Sequence, residues 1–364
     1  MTDPDGVVGA LTHQGASASR WIESPGFDLS FFVLSPLVGL AFLLAYPTGG
    51  VPLAIAAATL IGGPHYLASF SFFFWDDTTA YHRHQWVVHY LIPVMIVLFV
   101  ALVSIFQIPA VIVVVIYFWN AYHVSKQSCG ILSIYRHRAG KVDPRHRNVA
   151  NAAIIFTNLC MALWHTEWYP ALHHILSIPS PSAPNLLWQA SALAAGASLV
   201  ALLLSLYRRY RNGTGPGAIE LAFLLTSLTL FHPYLWVRDN NIATLGMLLG
   251  HFIQYLAIVW LVNNRKFAKG TGPATQQYMS RLWRDPRVLI PGFLAVGGIF
   301  MLLQLNAMAI TISLVLLHFY LDGVFWAFRR PEVRKALGPY LMGWHSPGRQ
   351  ASGVPGRIGA NPSS

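Results

Sequence analysis

The chain has few charged residues and few cysteines. Only 10% of its 364 residues are charged and 55% are apolar, whereas soluble domains carry about 25% charged residues. This composition excludes an ordinary soluble globular domain. The two cysteines, Cys129 and Cys160, lie in separate apolar segments, which argues against a disulfide framework. The first 28 residues are polar, so we expect no signal peptide.

Apolar runs near or above the length of a bilayer crossing recur along the chain. They predict an all-α, polytopic integral membrane helical bundle of about ten transmembrane helices. Residues 1–28 are then a polar N-terminal segment, residues 29–330 the transmembrane helical domain, and residues 331–364 a basic, largely disordered C-terminal tail. The predicted spans are residues 29–46, 51–74, 86–105, 109–134, 149–169, 186–207, 217–237, 242–263, 288–305 and 307–328.

Basic loops follow the fourth, sixth, eighth and tenth predicted spans, so all of them lie on one side of the membrane. The positive-inside rule makes that side the cytoplasm and places both termini there. We expect a protein of the bacterial inner membrane. Because loop residues that meet membrane lipids account for the net charge of +11, no nucleic acid partner is needed. The oligomeric state is left open.

Fifteen histidines are many for a membrane protein, since ionisable groups inside a bilayer are costly. Four of them lie eleven to thirteen residues before the predicted basic-side end of a different span. At 1.5 Å per residue, each is roughly 16–20 Å from that boundary. Equal depth on four helices predicts one metal-binding layer, formed by His65, His123, His251 and His318. His89, about one turn inside the third span, is a fifth candidate ligand.

Polar residues accompany this layer at helical spacing. Asp322 lies four residues after His318, Tyr255 four after His251, and Lys126 three after His123. We predict catalytic roles for these three residues. Ser69, four residues after His65, is expected to orient an imidazole.

The other histidines give weaker signals. His137 and His146 lie in polar segments and are expected to be solvated. No role is assigned to the histidines toward the opposite side of the membrane, His165, His173, His174 and His232.

Neutral imidazoles with one carboxylate suit iron, zinc or copper. The chain lacks the His-Glu-x-x-His motif of helical zinc hydrolases. The carboxylate candidates within the spans are Asp322, Glu167 and Glu220. Non-haem iron is the cofactor we expect first, with haem or another transition metal as alternatives. Iron in an apolar cavity suggests an oxidoreductase that combines dioxygen with a lipophilic small-molecule substrate.

The histidine-rich, all-helical architecture is similar in style to the alkane hydroxylases and fatty-acid desaturases, but their His-x-x-x-His and His-x-x-His-His boxes are absent. The sequence "GGPH" at Gly62–His65 resembles a Gly-x-Pro-His context in the bacterial membrane β-carotene dioxygenases of the bacteriorhodopsin-related type. In that family small residues and an Asp-His pair follow, whereas "YLASF" follows here. The resemblance implies an iron-dependent dioxygenase or monooxygenase.

Two other function classes fit the same histidines. Facing pairs on different helices are typical of a haem-binding, electron-transfer membrane protein. A proton or metal transporter is the third class, although the sequence has none of the inverted repeats that many transporters show.

The charge pattern makes a topology prediction. Reporter tags at the N-terminus, at the C-terminus and in the loop that contains Lys141 are all expected on the cytoplasmic side. Protease accessibility of each tag in inverted vesicles and in intact cells measures this. A tag that is accessible only from the outside contradicts the depth argument, because every depth was counted from the basic side.

Overall fold

The computed structural model describes residues 20–74, 83–140, 143–164, 183–268 and 274–342. Every regular element within these residues is helical. Short π-helical turns lie at Leu29–Val33, Ala58–Gly62 and Val87–Leu91, and 3₁₀ turns at Ser69–Phe74 and His232–Leu235. The α-helices are α1 Pro25–Asp28, α2 Pro36–Ala57, α3 Gly63–Ala68, α4 Ile92–Ile105, α5 Pro109–Arg138, α6 Pro144–Trp164, α7 Ala183–Arg211, α8 Ala218–Thr229, α9 Asn240–Lys266, α10 Ala274–Arg284, α11 Pro286–Asn306, α12 Met308–Phe325 and α13 Pro331–Leu341.

Six helical segments in the described residues are long and apolar enough to cross a membrane. Five of them match single predicted spans, and the sixth overlaps both of the first two predicted spans. The helices at the other three predicted spans, α5, α6 and α8, are not among the six. The structure therefore agrees with a helical membrane bundle, and the count of ten stays a prediction. The six segments are Pro36–Ser71, Val87–Ile105, Leu186–Arg211, Asn240–Lys266, Pro286–Asn306 and Met308–Phe325.

The first of these segments doubles back on itself. A Cβ added to Gly250 would lie 3.1 Å from the Cα of Pro36, and one added to Gly62 would lie 3.0 Å from the ring of Phe252. Pro36 and Gly62 thus meet α9 at nearly the same level. The chain reverses between them at Gly50, whose φ of 53° and ψ of −148° are not helical. Glycine adopts a positive φ without the steric cost that a Cβ brings.

Several helices end together at one end of the bundle. Arg138, the last residue of α5, donates to the carbonyl oxygen of Leu341 at 3.0 Å. Arg265, near the end of α9, donates to the carbonyl oxygens of Tyr340 and Ile22. These contacts gather the basic helix ends, the N-terminal segment and α13 on one side, which we call the basic end.

The start of the predicted C-terminal tail is ordered. Pro331–Leu341 forms α13, and Val333, Leu337 and Leu341 are buried in the main core. Their apolar side chains lie on one face of α13 and pack against the bundle. Residues 343–364 lie outside the described part of the chain.

An ion network is buried at the basic end. Glu220 accepts hydrogen bonds from Arg136 at 2.9 Å and from Arg209 at 3.1 Å. His146 is 2% exposed and its Nδ1 lies 2.7 Å from Ser205 Oγ. Burial, together with the two guanidinium groups, lowers the pKa of His146 to about 4. The prediction that His146 is solvated is therefore wrong, because the ends of α6, α7 and α8 pack over it.

Close contact between α2 and α9 generates a stability prediction. A Cβ on Gly39 would overlap the carbonyl oxygen of Gly246, whereas a Cβ on Gly298 has open space. We expect Gly39→Ala to lower the free energy of unfolding by about 1–3 kcal/mol, the usual cost of overpacking. Gly298→Ala is the matched control and should be neutral or slightly stabilising. Thermal unfolding of both variants in the same detergent measures the difference; equal melting temperatures would contradict the close approach.

Candidate metal centre

Four helices each bring one histidine to the same point in the bundle. His65 lies on α3, His123 on α5, His251 on α9 and His318 on α12. All four are buried, and one ligand nitrogen from each lies within 4.8 Å of the other three. The equal depth predicted from the sequence therefore corresponds to a real cluster, which we call the histidine cluster.

The four imidazole rings form a closed square. Ring centroids are 4.4 Å apart for His65 and His318, and 4.8 Å apart for His65 and His251. The other two edges join His123 to His318 at 5.0 Å and to His251 at 5.3 Å. Each ring thus contacts two others directly, and no helix backbone or apolar side chain separates neighbouring rings.

Glycines let the short helix α3 bring His65 into this square. A Cβ on Gly63 would lie 3.0 Å from the Cα of Gly297 and 3.0 Å from the Cβ of Phe300. The π-helical turn Ala58–Gly62 immediately precedes α3, and Pro64 occupies its first turn. Gly63 thus lets α3 approach α11 closely, and the helix geometry changes just before His65.

Six of the eight ring nitrogens in the histidine cluster lack a hydrogen-bond partner among the described residues. Within the described residues, neither nitrogen of His65 or His251 has a partner, and the Nε2 atoms of His123 and His318 have none. A buried polar group without a partner costs about 1–3 kcal/mol. A metal ion would provide a partner for these convergent nitrogens, because neutral imidazole is a good ligand for iron, copper and zinc. The residues present thus fit a metal ion.

Asp322 is held beside the cluster by two hydroxyl groups. Its Oδ1 accepts from Tyr255 Oη at 2.6 Å and from Ser69 Oγ at 2.7 Å. The same Ser69 Oγ lies 2.8 Å from Nδ1 of His318. A hydroxyl has one hydrogen, so when Ser69 donates to Asp322 it must accept from His318. In that arrangement the proton of His318 is on Nδ1, and the lone pair of Nε2 is left for an ion.

The second carboxylate oxygen of Asp322 faces the cluster. Asp322 Oδ2 is 3.7 Å from Nε2 of His123 and 3.7 Å from Nε2 of His318. Two ligands of one ion with bonds of about 2.1 Å lie roughly 3–3.5 Å apart. A small contraction would therefore bring Oδ2 and both nitrogens onto one ion, which makes Asp322 the fifth candidate ligand.

The remaining predicted site residues lie in different places. Tyr255 is at the centre, with its ring 4.8 Å from that of His65, and Lys126 is exposed beside the cavity described below. His89 is buried and stacks on Phe325 at 5.9 Å. The structure does not place His89 with the other four histidines, so its assignment as a ligand has no geometric support.

The other candidate residues lie away from the histidine cluster or outside the described residues. Glu220 pairs with two arginines in the ion network and is not a ligand. His232 Nδ1 donates to the carbonyl oxygen of Thr229 at 3.0 Å, near a helix end. The candidates His165, Glu167, His173 and His174 lie outside the described residues.

The contact of Ser69 with His318 was not predicted from the sequence. Its position four residues after His65 suggested that it would orient that ring, yet it contacts His318 on another helix. A 3₁₀ turn begins at Ser69 and changes the direction of the side chain relative to a regular helix. The sequence contains no direct signal for this contact.

A cavity of about 670 Å³ opens onto the cluster. His123, Tyr255 and Asp322 line one part of it, and apolar side chains that include Ile131 and Ile258 line its walls. Its volume is within the range of small-molecule sites, roughly 300–1,000 Å³. The histidine cluster is therefore accessible to an apolar molecule.

Comparisons with known protein families, curated proteins and solved structures give no match. The resemblance to the membrane β-carotene dioxygenases stays a prediction.

The geometry predicts which variants lose bound metal. Replacing His65, His123, His251 or His318 by Ala should each remove most of the bound metal, since even a change in the groups that support a ligand costs about 10–100-fold in affinity. His137→Ala, in the basic segment, is the control and should retain it. Elemental analysis of purified variants measures the metal-to-protein ratio. Full metal content in two of the four variants would contradict a single shared centre.

Proposed function

We propose that the protein is an integral membrane oxidoreductase that uses non-haem iron and dioxygen to oxidise a lipophilic substrate. One observation carries the proposal: four buried histidines with unpartnered nitrogens converge beside Asp322. His123 and Asp322 also line a cavity, inside a bundle of membrane-length helices. Dioxygen and lipophilic molecules both concentrate in bilayers, so a centre at this place meets both.

The chain supplies ligands, orientation and an apolar surrounding. His65, His123, His251 and His318 would hold the ion, with Asp322 as the carboxylate ligand. Iron, when bound, supplies the redox chemistry that activates dioxygen. Tyr255 keeps Asp322 in place through a 2.6 Å hydrogen bond, so its hydroxyl can donate or accept a proton beside the ligands. The apolar part of the cavity wall, which includes Ile131 and Ile258, provides a surrounding for a lipophilic substrate.

The ring contacts favour a single ion over haem. Bis-histidine haem needs two imidazoles on opposite faces of a porphyrin about 10 Å wide, whereas these rings lie in direct contact, with centroids 4.4–5.3 Å apart. A porphyrin between them would require the four helices to separate. Asp322 Oδ2 also lies 3.7 Å from Nε2 of His123 and of His318. A carboxylate beside two imidazoles suits a non-haem ion better than a haem.

Two oxygenase reactions are compatible with this centre. In a dioxygenase both oxygen atoms enter the substrate and no further reductant is required. In a monooxygenase one atom enters the substrate, the other becomes water, and a separate donor must supply two electrons. The proposal includes both, because the arrangement of ligands serves either reaction.

Metal identity and oxygen use test the proposal. Protein purified without added metal should contain iron, lack a Soret band, and consume dioxygen when a membrane lipid extract is supplied. Asp322→Asn should retain the fold and lose oxygen consumption at least tenfold, the effect expected when a ligand or its orientation is lost. His137→Ala is again the control and should match the unchanged protein.

Three results would each reject the iron oxygenase. A Soret band would establish haem, zinc as the bound metal would exclude redox chemistry at the ion, and transport of an unmodified substrate in proteoliposomes would favour a transporter. Elemental analysis, absorption spectra and an oxygen electrode separate these outcomes.

A further inference from the structure

We infer that the cavity binds a single-chain carboxylic acid, with the carboxylate near Lys126 and Arg329 and the distal half of the chain at His123 and Asp322. The oxidation of the bound acid at the metal centre rests on the proposed function. The binding itself follows from the shape and charge of the cavity. The three features that carry it are the length of the cavity, the position of its cations and two glycines in its wall.

The cavity is long and narrow enough for one chain. Its lining on α5 extends from Trp119 to Ile134, fifteen residues of continuous helix that cover about 22 Å. A volume of about 670 Å³ holds about twenty groups the size of a water molecule, at roughly 30 Å³ each. One acyl chain with its carboxylate has this size, whereas a two-chain phospholipid is at least twice as large.

The cations lie on the side of the cavity that faces the basic end. Lys126, one turn after His123 on α5, and Arg329, just after the end of α12, both line the cavity and are exposed. Both helices run toward the basic end. Lys126 therefore lies nearer to that end than His123, and Arg329 lies nearer to it than Asp322. Within the described residues neither cation has an ion-pair partner. A carboxylate placed there gains charge-assisted hydrogen bonds.

The carboxylate of the ligand is also directed away from the metal centre. Asp322 is the acidic residue in the described lining, and its Oδ1 already accepts two hydrogen bonds. A second negative charge beside it would be repelled. The apolar end of the ligand therefore lies at His123 and Asp322, next to Trp119 and Phe319.

Two glycines keep the cavity open. Gly130 on α5 and Gly323 on α12 both line it, and a Cβ at either position would meet no atom within 4 Å. Glycine in a helix interior costs about 1 kcal/mol relative to alanine, and here no close packing requires it. The absence of a side chain at these two glycines leaves space for a ligand.

Fluorescence of cis-parinaric acid provides the binding assay. Trp119 and Trp326 line the cavity and should transfer excitation energy to the bound probe in purified protein. Hexadecanoate should displace the probe, while hexadecan-1-ol and methyl hexadecanoate should need about tenfold higher concentrations, because they lack the charge that the cations bind.

Charge variants locate the carboxylate. Lys126→Gln and Arg329→Gln should each weaken parinarate about tenfold and leave displacement by hexadecan-1-ol unchanged. The matched control is Arg281→Gln, an exposed cation on α10 that does not line the cavity. If the two variants behave like this control, the cations meet lipid headgroups and the inference is wrong.

A cavity-filling variant locates the chain. Gly130→Leu should abolish saturable parinarate binding while the metal content stays the same. Gly298→Leu is its control, because Gly298 also has open space at its Cβ but lies outside the cavity lining. Unchanged binding in Gly130→Leu would place the acid elsewhere and overturn the inference.

The two proposals fail in different ways. Protein that binds parinarate with the expected charge dependence but contains no iron would reject the oxygenase and retain the acid site. Protein that contains iron and consumes dioxygen but binds the alcohol as tightly as the acid would retain the oxygenase and reject the acid site.

Discussion

Four neutral imidazoles face one another in an apolar interior, and this single constraint organises the rest of the structure. Their inward nitrogens have no partner within the described residues, and each such group is costly away from water. A shared ion removes that cost at four positions at once. The π-helical turn before His65, the close packing at Gly63 and the hydrogen bonds to Asp322 all serve to hold the ring geometry that one ion requires.

The sequence predicted the membrane class and the four clustered histidines because both depend on regular geometry. Apolar length identifies a spanning helix, and the constant rise per residue converts position along a span into depth. His65, His123, His251 and His318 could thus be grouped before any contact was known. Asp322 was found in the same way, because four residues after His318 is the same helical face.

Other features could not be predicted because they depend on breaks in that regularity or on tertiary packing. The 3₁₀ turn at Ser69 directs its hydroxyl to a different helix. His146 lies in a polar segment yet is buried by neighbouring helix ends. His89 was proposed as a ligand because it lies about one turn inside its span, but counting along a helix does not give the direction of a side chain around the axis.

The ligands are spread from residue 65 to residue 322, which has a consequence for biogenesis. The nascent chain cannot form the complete centre until α12, one of the last helices to be synthesised, has entered the bundle between α3 and α5. An ion that arrives earlier finds at most three of the four histidines. In the proposed metal centre, complete ligation is thus a late event in assembly, because it requires the helix that carries His318 and Asp322.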